Sequence, residues 1–218
     1  MSPRTTRTAP EPGAAGRSDG ETLPALLQRI RACRLCAAHL PLGPRPVLRA
    51  RASARLLIVG QAPGTRVHAS GIPWNDPSGE RLRAWLGIDR DAFYDEARVA
   101  IVPMGFCYPG KGRSGDLPPR AECAQTWHPQ LLPQLPRIEL TLLIGQYAQR
   151  YFLGTARGDD LTATVRAYRD YLPRCLPLPH PSPRNIGWFR RNPWFESEVL
   201  PTLRRRVQAL LGANAAPA

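Results

Sequence analysis

Three groups of residues have types and spacings that can do chemistry. In Leu178-Pro179-His180-Pro181-Ser182-Pro183 a single imidazole stands between prolines. Proline fixes φ, so such a loop is stiff. A stiff loop can aim an imidazole N–H at charge that develops in a transition state. A plain turn with an exposed histidine would have the same sequence. In Val59-Gly60-Gln61-Ala62-Pro63-Gly64 an apolar run gives way to glycine and proline. Glycine lets the backbone approach a ligand closely, and exposed amides bind a carbonyl or an anion. Alone, this segment reads first as an ordinary strand-to-loop turn. The third group is cysteine. Cys33-Arg34-Leu35-Cys36 is a CxxC, and Cys107 and Cys123 flank the Pro/Gly-rich loop from Tyr108 to Glu122. Four cysteines so spread can ligate zinc or an iron–sulfur cluster, and their spacing does not choose between the two. Cys175 begins an apolar run and reads as a core or loop thiol.

The elements that must position these groups follow from hydrophobic pattern. Arg55 to Gly60 is a short continuous apolar run ending in glycine, the pattern of a buried parallel strand. Arg98 to Met104, Glu139 to Gly145 and Cys175 to Leu178 repeat it. Helices are expected over Leu23–Ala32, Ser78–Leu86, Ala121–Leu132, Gln146–Leu153, Leu161–Tyr171 and Pro193–Leu211. The last carries Arg204, Arg205 and Arg206 on its outer part. Pro41–Arg55 and Gly105–Arg120 read as loops. Alternating strands and helices predict an α/β fold: a three-layer α/β/α sandwich around a mostly parallel four-stranded sheet. Ligands bind such sheets at the carboxyl ends of the strands. Gly60–Gly64, Gly105–Pro109 and His180–Pro183 each follow a strand, so all three are expected to line one crevice.

The chain has 218 residues, enough for one domain with a full core. Its formal net charge is +13, and Lys111 is the only lysine among 30 basic residues. Such an excess favours a polyanion, nucleic acid first, although an arginine bias also follows genome composition. No apolar run approaches the ~20 residues of a membrane span, and no secretory h-region is visible. A cytoplasmic monomer is expected. The odd cysteine count then points away from disulfides. Residues 1–20, rich in Pro, Gly, Ala, Thr and Arg, read as a disordered basic leader, 21–212 as the folded domain and 213–218 as a disordered tail. There is no GxxxxGK[ST] and no GxGxxG, hence no sign of a nucleotide cofactor.

Taken jointly, Gly60–Gly64, Gly71-Ile72-Pro73-Trp74-Asn75-Asp76-Pro77-Ser78-Gly79 and His180–Pro183 resemble, in order and spacing, the motifs of the uracil-DNA glycosylase superfamily. The CxxC followed by Cys107 and Cys123 resembles its iron–sulfur families four and five. The resemblance covers roughly Leu23 to Leu211. It implies a monofunctional repair glycosylase that flips a deaminated base, uracil foremost, out of DNA and hydrolyses its N-glycosidic bond. It also implies a four-iron, four-sulfur cluster on Cys33, Cys36, Cys107 and Cys123 that helps order DNA-contacting loops; zinc, or no metal, is the alternative. His180 would donate to uracil O2, with backbone amides near Gln61 and Ala62 adding donors. Gly60, Pro63, Gly64 and Ser182 would shape the base site. Trp74 would stack on the base or pack in the core.

The water-positioning residue departs from familiar patterns. The best-known relatives have Asp where this chain has Ala62, and family four has Glu where it has Gln61. Family five uses an Asp in the following loop, which Asp76 matches; Gln61 would support it. Asp76 is also placed to cap a helix, and His68 is a minor candidate. Pro103 stands where many relatives read uracil with an asparagine, so hypoxanthine or xanthine is an alternative base. In Pro183–Arg191, Ile186, Trp188 or Phe189 would wedge into the duplex, and Arg184, Arg190 and Arg191, with Asn185 among them, would meet the backbone. A simple packing loop is the alternative there, and a slow or non-catalytic DNA- or abasic-site-binding protein is the alternative for the whole.

Overall fold

The computed structural model describes residues 20–113 and 115–212. Gly20 apart, the expected leader and tail lie outside these residues. In chain order the strands are β1 (Leu56–Val59), β2 (Val99–Ile101), β3 (Lys111–Gly112), β4 (Gly115–Asp116), β5 (Leu140–Ile144) and β6 (Cys175–Leu178). The helices are α1 (Leu23–Arg31), α2 (Thr65–Ser70), α3 (Pro77–Leu86), α4 (Arg90–Tyr94), α5 (Ala121–Leu131), α6 (Gln146–Leu153), α7 (Leu161–Arg166), α8 (Ile186–Arg191) and α9 (Leu200–Gly212).

Four strands form one parallel sheet in the order β2-β1-β5-β6. Period-two alternation sends successive residues of β1 to opposite faces. Leu56 and Ile58 join Leu82, Leu86, Leu203 and Val207, from α3 and α9, in one core. Leu57 and Val59 join Leu26, Ile30, Leu131 and Ala148, from α1, α5 and α6, in another. Helices therefore cover both faces, which is why these strands read as unbroken apolar runs. The three-layer α/β/α sandwich expected from the sequence is the observed fold. The chain leaves β1 for β2 on one side and reaches β5 and β6 on the other. The order thus reverses between β1 and β5, where such sheets open a crevice.

Three departures concern short elements. The loop Gly105–Arg120 contains the antiparallel hairpin β3–β4, only two residues on each side. The expected helix Leu161–Tyr171 is α7 followed by a 3₁₀ turn, Tyr168–Tyr171. The C-terminal helix is a π turn, Phe195–Val199, running into α9. Helices α2, α4 and α8 were not anticipated. They have five or six residues each, too few for a 3.6-residue period to show.

Candidate active site

The loops leaving β1, β2 and β6 meet around one cleft. Gly60 through Gly64 form one wall, and Trp74 and Asp76 the next. Ile101 and Pro103 supply a third, and His180 closes the site. The histidine loop and the glycine-rich turn therefore face one space.

His180 is held by its own loop. The Ser182 N–H donates to His180 Nδ1 at 3.2 Å. Nδ1 is thus an acceptor, and the neutral ring carries its proton on Nε2. Burial lowers the ring's proton affinity, partly countered by the charge of Asp76. Asn185 Nδ2 donates to the His180 carbonyl at 2.8 Å, and Ser182 Oγ accepts from the Arg184 N–H at 3.2 Å. Ser182 and Asn185 fix the imidazole's direction.

The Trp74 ring stacks on His180, with centroids 5.5 Å apart and planes 29° apart. It lies so close to Gly60 that a Cβ there would sit 2.8 Å from the indole. A Cβ on Gly79 would collide with the Trp74 carbonyl. Trp74 itself has φ +57°, a left-handed conformation that costs free energy for a bulky residue. Its carbonyl also accepts from Arg83 Nη1 at 3.3 Å. The surroundings hold this indole as a wall of the cleft and a backing for the imidazole.

Asp76 does two things. Its Oδ1 accepts the Gly79 N–H at 2.8 Å and caps α3, and its carboxylate lines the cleft. Gln61 turns its amide away, donating from Nε2 to the Leu117 carbonyl at 3.0 Å. His68 faces Tyr108, ring centroids 6.2 Å apart, and is not part of the cleft lining.

In the following loop, the Trp188 indole N–H donates to Thr162 Oγ1 at 2.9 Å and the ring packs among Phe189, Trp194 and Phe195. Phe189 lies against Trp85. Ile186 is the exposed apolar residue, and Arg184, Arg190 and Arg191 are exposed beside it.

A second cavity is lined by Cys33, Cys36, Cys107 and Cys123 together with Leu40, Phe106 and Trp127. Cys123 Sγ accepts the Phe106 N–H at 3.3 Å. Burial pushes the Cys107 thiol up to about 11 and the Cys123 thiol up to about 12, and the neighbouring cysteines add to both. Among the described residues no group of three or more His, Cys, Asp or Glu stands as a site for a metal ion. Cys175 packs beside the core of α1, α5 and α6, and burial pushes its thiol up to about 11.

Two residues escaped the sequence reading. His128, fully buried in α5, donates from Nε2 to the Pro103 carbonyl at 3.0 Å, behind the cleft wall. Its place one turn from both Ala124 and Leu131 could have marked it as inward-facing. Asp116, on β4, stands beside Gly64. Nothing in its local sequence points to a site.

A doubly covered parallel sheet with a glycine-rich turn, a proline-framed histidine and a carboxylate around one cleft makes this an α/β sandwich with its candidate site at the strands' carboxyl ends. A family model described as the Uracil DNA glycosylase superfamily matches residues 49–204, and the chain belongs to that superfamily. Membership supports a DNA glycosylase, a hydrolase of DNA repair, with DNA as its partner. The match begins after Cys33 and Cys36, so it says nothing of the four cysteines as a set. Among the described residues no helix is long and apolar enough to cross a membrane.

Proposed function

We propose that the protein is a cytoplasmic, monomeric, monofunctional glycosylase that removes a deaminated base, uracil foremost, from DNA. The observation that carries this reading is the neutral His180, its Nδ1 occupied by Ser182, across one cleft from Gly60–Gly64. A base inside a duplex is out of reach, so the nucleotide is flipped into the cleft. Ile186 fills the gap left in the stack, and Arg184, Arg190 and Arg191 meet phosphates. As the N-glycosidic bond breaks, negative charge grows on the base and positive charge on the sugar. The Nε2–H of His180 donates to the anion at O2, with the amides of the Gly60–Gly64 turn beside it. A donor fixed before the reaction favours the transition state over the ground state. Asp76 faces the sugar cation and orients the attacking water.

Turnover against a panel of damaged bases, compared with His180→Ala, tests this reading. A wild-type protein that binds such DNA but never turns over would leave only the DNA-binding alternative. Pro103 in the cleft wall favours a second substrate class. With its carbonyl engaged by His128, that wall offers no side-chain amide to read uracil. Hypoxanthine and xanthine therefore belong in the panel, and cleavage of uracil alone counts against them.

The second cavity supports the iron–sulfur reading over its alternatives, zinc or no metal. Four unpaired cysteines line one enclosure, the number that ligates a four-iron, four-sulfur cluster. Buried thiols that hold their protons need positive charge to become thiolates, and an N–H···S bond already serves Cys123. When bound, the cluster would supply a structural crosslink between the end of α1, the segment after β2 and α5. Iron, sulfide and zinc contents of protein purified without oxygen decide between cluster, zinc and neither.

A further inference from the structure

The segment after β4 runs alongside the glycine-rich turn. Gln61 Nε2 bonds the Leu117 carbonyl. A Cβ on Gly105 would lie 3.0 Å from Pro119 and 3.6 Å from the Ala62 methyl. A Cβ on Gly64 would lie 3.4 Å from Asp116 Oδ2. The hairpin thus brings a carboxylate next to the glycine-rich turn, whose own residue 62 is an alanine. On the other side, a Cβ on Gly115 would lie 2.5 Å from Arg184 Nη1, so the hairpin also meets the histidine loop. Asp116 is exposed beside Gly64, just outside the residues that line the cleft. A flipped base goes deep, and its sugar stays at the mouth, where the water must attack.

We propose that Asp116 is a second catalytic carboxylate, supplied by the β3–β4 hairpin beside the glycine-rich turn, and that it takes the proton of the attacking water. This rests on the glycosylase reading above. The C1′–N bond breaks and its electron pair leaves with the base. The water oxygen forms the new bond to C1′. The water's proton passes to Asp116 and then to solvent, while the base anion gains a proton, leaving free base and an abasic site. Asp76, with one oxygen fixed by the Gly79 N–H, faces the sugar and keeps the water in line.

The surroundings suit a proton acceptor. Partial burial raises the proton affinity of Asp116; Arg184 and Lys111 lower it and Asp76 raises it. The Tyr108 phenol faces the same charge. A base must be ionised to act, so kcat should climb with pH through a value raised from that of a free aspartate.

The test is kcat and KM against pH on the best substrate of the panel. Asp116→Asn should lose about 100-fold in kcat with little change in KM, and lose this acidic limb. Lys111→Gln should keep the limb and move it to higher pH, because it removes a cation that favours the ionised form. An Asp116→Asn enzyme within about 3-fold of wild type overturns the proposal, as does an acidic limb that stays in place in both variants. Wild-type protein inactive on every base overturns the glycosylase reading as well, which separates the two failures.

Discussion

Two imidazoles in this molecule, one half-buried and one fully buried, are close in state and differ in role. His180, after β6, and His128, in α5, are both kept neutral by burial, His128 being pushed down to about 4. Both spend one nitrogen on the main chain. In His180 that nitrogen is Nδ1, an acceptor, so the proton is left on Nε2 in a ring that lines the cleft. In His128 it is Nε2, the donor, and Nδ1 is left without a partner among Phe106, Tyr151 and Phe152. The difference teaches that burial and a depressed proton affinity do not by themselves mark a catalytic histidine. What matters is which nitrogen is left over, and whether it is a donor facing a cavity or an acceptor sealed in a core.

The largest expected effect is at His180. Removal of a single oxyanion donor costs about 10²–10³ in kcat, so His180→Ala should fall in that range in single-turnover assays. Its unfolding midpoint should stay close to wild type. A loss under about tenfold would dissolve the distinction. His128→Ala should behave in reverse. It leaves a cavity and an unpaired Pro103 carbonyl, costing about 2–4 kcal/mol in denaturant unfolding, while kcat per folded molecule changes little.

The same pair separates by pH. His128 has a folded value of about 4 against an ordinary 6.5. Between these values the unfolded chain binds more protons than the folded one. The contribution of His128 to stability is therefore complete above about 6.5, declines as pH falls and levels off near 4; that contribution is worth roughly 3 kcal/mol. Urea unfolding from pH 7 to pH 4 should show this slope, and His128→Leu should flatten it. A slope unchanged in the variant would assign it to other groups.

Legibility in the sequence followed the length of each signal. The runs Leu56–Val59, Leu140–Ile144 and Cys175–Leu178 could be read as strands because both faces of the sheet are covered, so every position is apolar. The convergence of Gly60–Gly64 and His180 followed from that topology alone. What could not be read was produced by contacts distant in sequence. Nothing near Asp116 announces that a two-residue hairpin carries it to Gly64. Nothing near Trp74 announces its left-handed backbone, which depends on Gly60 and Gly79 leaving room. Trp188 and Phe189 have the composition of a DNA wedge. Only the packing against Trp85, Trp194 and Phe195 separates them from the exposed Ile186.

Asp76 gives the smallest expected effect, because its structural role and its chemical one use different properties of one side chain. The cap on α3 needs an oxygen that accepts the Gly79 N–H. Asparagine provides that as well as aspartate does, whereas alanine forfeits about 1 kcal/mol. Facing a sugar cation needs the charge, which asparagine lacks. Asp76→Asn should therefore unfold at the wild-type midpoint with kcat lowered about tenfold, and Asp76→Ala should add the lost cap to the same kinetic defect. Removing this charge also removes what favours the protonated imidazole of His180, so the pH at which that ring titrates should drop in Asp76→Asn. An asparagine variant with full kcat and an unmoved His180 titration would leave Asp76 only the cap. Burial would then act on His180 without opposition from Asp76.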